Sequence, residues 1–495
     1  MNALEGLENA GFTVTTRDWI ERYDAAWKRG KEAFIRENGK KLRHISTHVL
    51  AELMAAEYRY PSGDSINEQE IEASGTDTCV YILSRQSGEG HDRKDEAGNF
   101  RLTETEIMNI RLCAGRYARF VLVLNTGAVI DLSPLDEIEG INALVYMNQL
   151  GMEGGNALAA VLTGQRVPSG KLAVTWPKRY VDVPFGAEFS KPGCDTALYK
   201  EGIYVGYRYF DSFCVEPRYA FGCGRSYTAF ALETKAVKLV GTDVQLSVAV
   251  TNTGKAFSGN EIAQVYVSCP QGVEAREYQR LAAFGKTRLL APGESETLTL
   301  RFPLAALSSY DEKRAETCLE AGNYLVRVGD SSRNTVPTAK LTLSDRVVLS
   351  RHRNLCAAKE KVQQLNGNKL SAETLPDDLL ILNIDPALFK TVEYDYEPKK
   401  EALSEKTKAT LDSFTAEDMV KFCAGTGLFG ENKGFRVPGA VGHMTTDYLD
   451  RGIPNRELCD GRPGCASSAV PPSTRRERSR RWTPPSPSMN SCPDG

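Results

Sequence analysis

A glutamate between two glycines is the residue of this sequence whose setting best suits proton transfer. The stretch SGEGHDR, residues 87–93, places Glu89 between Gly88 and Gly90. Glycine permits unusual backbone angles and close approach of a ligand, so this loop can project the carboxyl group toward a neighbouring surface. Partial desolvation would bring the pKa of such a carboxyl toward ambient pH, where a general acid works best. The alternative is a surface glutamate in a mobile loop, with Asp92 and Arg93 as a local ion pair.

A second carboxylate, Asp460, precedes a glycine in the stretch DGRPG, residues 460–464. A carboxylate accepts two hydrogen bonds from adjacent hydroxyl groups and thereby fixes the orientation of a ligand. Asp-Gly is also a favoured turn sequence, so a purely structural role stays equally open.

Other arrangements that resemble functional sites fail on spacing. His44 and His48 lie one helical turn apart but have no third ligand nearby, so we expect no metal site. The stretch from Gly164 to Lys171 has one residue too many for a phosphate loop, and Leu172 replaces its Ser or Thr. The chain contains no Gly-x-Ser-x-Gly nucleophile elbow.

The first part of the chain alternates short apolar runs with helical patterns, which favours a mostly parallel sheet covered by helices. Trp19, Tyr23 and Trp27 recur every four residues and predict a helix with a core face. Further helices are expected from Ser46 or Thr47 through Ala56, at Glu104–Tyr117 and at Asn156–Leu162, and strands at Thr78–Leu83, Phe120–Leu124 and Ala143–Tyr146. Ligand sites gather at the carboxyl ends of such strands, and residues 84–93 directly follow the first one.

From about residue 236 the apolar period changes to two. Val244, Leu246, Val248 and Val250 alternate with less apolar residues, and turn signals such as Ala291-Pro292-Gly293 separate the runs. This pattern predicts an antiparallel β-sandwich of about 100 residues.

Composition excludes several classes of protein. With 41% apolar and 25% charged residues among 495, the chain is typical of soluble globular proteins. Its net charge of −3 predicts neither nucleic acid nor membrane as a partner. No apolar run approaches the roughly 20 residues that span a bilayer. The first residues lack a secretory pattern, and the 12 scattered cysteines suit a reducing compartment, so we expect a cytoplasmic protein.

Four stretches, taken together and in order, resemble glycoside hydrolase family 3. They are SGEGHDR at 87–93, PSGKL at 168–172 leading to Trp176-Pro177, YKEGIYVGYRYFD at 199–211, and FGCGRSYT at 221–228. The resemblance implies an α/β sandwich domain over 1–188, a connecting segment over 189–235 and a fibronectin type III-like domain over 236–345. A linker would follow over 346–410, and residues 411–465 resemble the opening of the family's (β/α)8-type barrel. The remaining Pro-, Ser- and Arg-rich residues 466–495 predict a disordered or out-of-frame tail.

The resemblance further implies a β-glucosidase type of enzyme that acts on β-glucosides or oligosaccharides without a metal or other cofactor. Retaining glycosidases use two carboxyl groups about 5 Å apart, one as acid/base and one as nucleophile. Glu89 matches the family's acid/base, and Asp460 matches a sugar-binding aspartate. The family's nucleophile is an Asp followed by Trp in the barrel. The only such pair here, Asp18-Trp19, lies on a predicted helix before the strands and is not assigned catalysis.

The domain order resembles the circularly permuted members of the family, in which the barrel comes last. We expect both ends of the family's domain set to be incomplete here and the chain alone to hydrolyse little or nothing. A non-catalytic carbohydrate-binding protein, an inert translation product, and a β-xylosidase or N-acetylglucosaminidase parent remain alternatives. The sequence carries no signal for the oligomeric state.

Overall fold

The computed structural model describes the greater part of the chain, in two compact units, Met1–Tyr394 and Asp395–Gly495. The described residues are 2–41, 56, 58–86, 92–188, 196–272, 275–355, 360, 362–367, 375–376, 378–394, 402–424 and 445–454. None of the helices within these ranges is both long and apolar enough to cross a bilayer.

The secondary structure is mixed. The helices of the described part are α1 (Ala3–Asn9), α2 (Arg17–Lys41), α3 (Glu68–Ser74), α4 (Glu104–Arg116), α5 (Gly154–Leu162), α6 (Tyr207–Ser212), α7 (Glu405–Asp412) and α8 (Ala416–Ala424). The first strands are β1 (Thr78–Arg85), β2 (Arg119–Thr126), β3 (Ile141–Tyr146), β4 (Phe230–Val240), β5 (Asp243–Asn252), β6 (Ile262–Ser268), β7 (Arg280–Lys286) and β8 (Ser295–Pro303). The remaining strands are β9 (Ser309–Asp311), β10 (Glu316–Leu319), β11 (Gly322–Ser331), β12 (Asn334–Leu343), β13 (Val347–Arg351), β14 (Leu380–Ile384) and β15 (Val392–Glu393).

The α/β domain is built on a parallel sheet in the order β1-β2-β3. Phe120, Leu122 and Leu124 of the central strand are almost completely buried, as a strand covered on both faces requires. Helix α4 begins with a capping box between Thr103 and Glu106 and contributes Ile110 to the same core. The predicted parallel α/β domain is therefore confirmed.

Two helices of this domain meet through glycine. Helices α1 and α5 approach so closely that a Cβ on Gly6 would lie 2.1 Å from the carbonyl carbon of Gly155. The aromatic stripe of α2, by contrast, is only half-buried: Trp19 stacks on Tyr23, and Trp27 stacks on Tyr60. The stripe thus packs against neighbouring aromatic rings rather than into a core. Of the helix expected before Ala56, all but this last residue lies outside the described residues.

The second domain is the predicted β-sandwich. Its sheets have the strand orders β4-β5-β8, β14-β12-β11-β6-β7 and β15-β13-β10-β9. Along β5 the side chains at Val244, Leu246, Val248 and Val250 are completely buried, whereas the residues between them are partly exposed. The period of two therefore identified both the strand and its inner face.

The expected boundaries of the sandwich need correction at both ends. Strand β4 begins at Phe230, six residues before the predicted start at 236. The predicted linker over 346–410 contains β13, β14 and β15; β13 pairs antiparallel with β10, and β14 pairs parallel with β12. These late strands are short and lie at or next to sheet edges, where half-exposed side chains weaken the alternation that marks a strand.

The second unit contains α7 and α8. Phe414, Phe422 and Tyr448 form an aromatic cluster beside an ion pair between Arg451 and Asp418. The assignment of residues 411–465 to a barrel stays a prediction, and the tail at 466–495 lies outside the described residues.

Candidate active site

The two residues predicted to act on a ligand, Glu89 and Asp460, both lie outside the described residues. For Glu89, however, the structure describes what flanks it on each side. Gln86 directly follows β1, and Arg93 lies shortly after the undescribed residues 87–91. The Arg93 guanidinium donates a hydrogen bond of 2.9 Å to the Gln86 carbonyl oxygen. The two flanks of the Glu89 segment are therefore held together at the carboxyl end of a parallel strand, where ligand sites gather.

A buried ion pair supports this end of β1. The guanidinium of Arg85 donates to both carboxylate oxygens of Glu106, at 2.6 and 2.7 Å, and both side chains are almost fully buried. Glu106 also accepts from the backbone N–H of Thr103, which fixes the start of α4. Arg85 Nε donates to the carbonyl oxygen of Asn99 at 3.1 Å. One bidentate pair thus connects β1, α4 and the loop between them.

A shallow, open pocket lies at this place, and we call it the strand-end pocket. Its lining comes from three stretches, residues 58–62, 84–86 and 93–106, and most of its side chains are polar or charged. Nearby, Glu96 forms an ion pair with Arg59 at 2.7 Å. The hydrogen bond and charge of Arg59 hold the pKa of the Glu96 carboxyl below its usual range. Glu96 and Glu106 are therefore both paired with arginines.

Two of the other motif stretches join the α/β domain to the sandwich. Leu172 and the 221–228 stretch exchange backbone hydrogen bonds, from Leu172 N to Cys223 O at 2.9 Å and from Gly222 N to Leu172 O at 2.7 Å. Gln264 of β6 donates to the Gly222 carbonyl at 3.0 Å. Lys171 forms an ion pair of 2.7 Å with Glu261, and both side chains are about one-tenth exposed.

The stretch 199–211 completes this contact surface, which we call the interdomain joint. Asp211 is buried; it accepts from Arg333 Nε at 2.6 Å and from Gln279 Nε2 at 3.0 Å. Burial raises the pKa of the Asp211 carboxyl, although the hydrogen bonds from Gln279 and Arg333 oppose that rise. Tyr207 accepts at its hydroxyl from the backbone N–H of Leu281. Asp211 and Tyr207 of this motif thus bind the sandwich.

The remaining predictions for the site concern Asp18 and metal binding. Asp18 is exposed in the first turn of α2. Within the described ranges, no group of three or more His, Cys, Asp or Glu side chains is placed to hold a metal ion. Sequence reasoning missed the Arg85–Glu106 pair and Asn99. The only available signal was the Thr103-x-x-Glu106 pattern, which identifies a capping box but not a pocket.

Comparison with known proteins identifies both domains. Residues 7–207 match the Glycosyl hydrolase family 3 C-terminal domain, and residues 261–332 match the Fibronectin type III-like domain. The fold and its motifs therefore define a protein of the glycoside hydrolase class. More specifically, the chain belongs to glycoside hydrolase family 3, which confirms the resemblance seen in the sequence.

The relatives are enzymes named for one activity. The chain is 31% identical to the Beta-glucosidase of Ruminococcus albus, over 82% of this chain and 44% of that protein. It is 29% identical to Beta-glucosidase A of Butyrivibrio fibrisolvens, over 79% and 55%. The chain spans about half the length of these curated relatives.

Two solved structures of beta-glucosidases are also similar to this chain. A beta-glucosidase from Paenibacillus barengoltzii matches with a TM-score of 0.67 at 28% identity, over 84% of this chain and 50% of that one. Beta-glucosidase 3B from Thermotoga neapolitana in complex with alpha-D-glucose matches with a TM-score of 0.57 at 33% identity, over 70% and 47%.

Proposed function

We propose that this chain supplies the acid/base half of a retaining β-glucosidase, with Glu89 as the proton donor to the glycosidic oxygen. Such an enzyme needs a second carboxyl group about 5 Å away as nucleophile. The family resemblance assigns that nucleophile to the barrel domain. Terminal β-D-glucosyl residues are the proposed substrate, because the relatives are named beta-glucosidases.

One observation carries the assignment of Glu89. The two flanks of its segment are joined at the carboxyl end of β1 by the Arg93–Gln86 hydrogen bond, beside the strand-end pocket. Two described carboxylates of that pocket region, Glu96 and Glu106, are each bound by an arginine. These pairings support Glu89, which follows β1 in the sequence, as the group that carries the proton.

Asp460 is proposed to orient the sugar by accepting hydrogen bonds from adjacent hydroxyl groups. The similarity to the Ruminococcus albus protein extends over 82% of this chain, more than residues 1–345 comprise. This reach supports a family relationship for some of the sequence after the sandwich.

The experiment has two parts. First, the purified chain is incubated with 4-nitrophenyl β-D-glucoside, and we expect no turnover above that of its Glu89→Gln variant. Second, residues 7–345 replace the corresponding part of the Ruminococcus albus Beta-glucosidase, which provides a nucleophile. We expect the chimera to hydrolyse β-glucosides, and Glu89→Gln to lower the rate for poor leaving groups by about 10²–10⁴, the usual worth of general acid catalysis.

The matched control is Glu139→Gln, an exposed carboxylate of the same domain, which should leave the rate of the chimera unchanged. A folded chimera without activity, or an active one insensitive to Glu89→Gln, would refute the proposal.

A further inference from the structure

Two cysteines meet in the α/β domain, and the proposed glycosidase chemistry uses neither of them. Cys79 is the second residue of β1, and Cys113 lies in the last turn of α4. Both are free thiols, and the two thiol groups hydrogen-bond to one another. Cys113 is 2% exposed and belongs to the apolar core of the domain, and Cys79 packs against that core. Two residues that are distant in sequence are thus brought together by the fold.

The contact between these cysteines is one end of a longer seam between β1 and α4. Alternate residues of a strand share one face, and residues three or four apart on a helix share another, so the two elements meet at regular intervals. The contacts along the seam are Arg85 with Glu106, Tyr81 with Asn109, and Cys79 with Cys113. Because the first two contacts fix the strand against the helix, the two thiols are held side by side in the folded chain.

The two thiols differ in their access to solvent. Cys113 is buried, whereas Cys79 is partly exposed. Cys79 is therefore the sulfur that a dissolved oxidant meets first, and Cys113 lies next to it to complete a bond. The hydrogen bond with Cys113 and burial raise the pKa of the Cys79 thiol. Because the thiolate is the reacting form, we expect the first step to be slow at neutral pH and faster in alkaline buffer.

We propose that Cys79 and Cys113 form a site of reversible oxidation, at which a disulfide bond joins β1 to α4. The oxidant is a small disulfide of the glutathione type. The Cys79 thiolate attacks one sulfur of the oxidant, which forms a mixed disulfide and releases one glutathione thiolate. Cys113 then loses its proton and attacks the Cys79 sulfur, and the second glutathione leaves as a thiolate. Two protein thiols are thereby oxidised, and one molecule of the oxidant is reduced to two thiols.

The bond is expected to stabilise the α/β domain. A disulfide between residues that are distant in sequence restricts the unfolded chain more than the folded one. The folded chain already holds the two thiols in contact, so little rearrangement opposes the bond. We expect the melting temperature of the domain to rise by about 5 °C or more on oxidation.

The test uses the full chain and oxidised glutathione at about pH 8.5, where thiolates are more abundant than at neutral pH. The reaction is stopped with acid, the remaining thiols are alkylated, and the chain is digested with trypsin without reduction. The tryptic peptides 60–85 and 112–116 contain one cysteine each, Cys79 and Cys113, so their linked pair has a distinct mass. We expect mass spectrometry to detect this linked pair, and dithiothreitol to abolish it together with the rise in melting temperature.

Variants separate the pair from the other thiols. Cys79→Ala, at the partly exposed position, should abolish both the linked peptides and the rise in melting temperature. Cys269→Ala removes a thiol of the sandwich and should retain both. The exposed Cys214 reports whether the oxidant has reacted with the chain.

Three results would overturn the proposal. The first is modified Cys214 with Cys79 and Cys113 both still free. The second is glutathione attached to Cys79 without a bond to Cys113. The third is a linked pair that leaves the melting temperature unchanged. None of these results depends on Glu89, which the chimera tests separately.

Discussion

The strand-end pocket and the interdomain joint both contain residues of the stretches that identify the family, yet they differ in their exposure to solvent. In the joint, charged groups are buried and matched: Lys171 with Glu261, and Asp211 with Arg333 and Gln279. In the pocket, the lining is open to solvent, and the buried acceptor of Asn99 has no partner among the described residues. Paired buried charges hold domains together, whereas an open pocket lined by polar groups is suited to bind a ligand.

This difference shows that the four family stretches have two different kinds of role. The stretches at 168–172, 199–211 and 221–228 contact one another or the sandwich, and they account for the geometry of the joint. Only SGEGHDR follows a strand of the parallel sheet directly in the sequence, and its first five residues lie outside the described part. Three of the four stretches that identify the family are therefore architectural, and the proposed chemistry rests on the fourth.

The largest expected loss of stability follows from breaking the buried Arg85–Glu106 ion pair, which lines the pocket. Arg85→Ala would leave Glu106 buried without its partner, and removing one member of a buried pair typically costs about 3–5 kcal/mol. Urea denaturation followed by tryptophan fluorescence measures the loss. The control is Arg116→Ala, which breaks an exposed pair with Glu68 and should change stability little. Similar losses in both variants would show that the Arg85–Glu106 pair does not support this end of the sheet.

The next effect tests the joint. Lys171→Met would leave Glu261 with the backbone N–H of Ile262 as a remaining partner. We expect a loss of about 2–3 kcal/mol, because truncating one side of a buried pair leaves the other charge uncompensated. Since the pair connects two domains, calorimetry should also show the α/β domain and the sandwich melting separately. The control is Lys235→Met, which breaks an exposed pair with Glu233; a single unchanged transition for Lys171→Met would contradict the role of the joint.

The smallest effect is a dependence on pH. Burial raises the pKa of Asp211 above its ordinary value of 3.8, so the folded state holds this proton more tightly than the unfolded state does. The contribution of Asp211 to stability is therefore greatest below pH 3.8 and falls as pH rises through the higher pKa of the folded state. Asp211→Asn removes this titration. The stability of the variant minus that of the wild type should increase with pH across this window, as measured by urea denaturation; a decrease would contradict the raised pKa.

Much of the fold followed from sequence because its signals are local. The period of two identified β5, and the apolar runs located β1, β2 and β3 to within a few residues. The strands β13 to β15 were missed because they add to sheets formed by distant residues, and such pairing leaves little trace in a half-exposed run.

The site was less accessible to sequence reasoning. Glu89 was predicted from its glycines and its motif, whereas the pocket beside it brings Asn99 together with Arg85 and Tyr60, which are distant in sequence. Nothing in the residues around Asn99 shows that its side-chain oxygen is buried without a partner. The aromatic stripe of α2 was predicted correctly as a helix, but its contact with Tyr60 required the three-dimensional structure.

The dependence of rate on leaving group tests the role of Glu89 most directly. In the chimera with the Ruminococcus albus protein, kcat/KM is measured for a series of β-glucosides from dinitrophenyl through phenyl to cellobiose. A proton donor matters most when the departing oxygen is basic, so Glu89→Gln should leave the dinitrophenyl glucoside nearly unaffected and slow cellobiose by about 10²–10⁴. An equal loss for every leaving group, or none for cellobiose, would show that the proton comes from another residue.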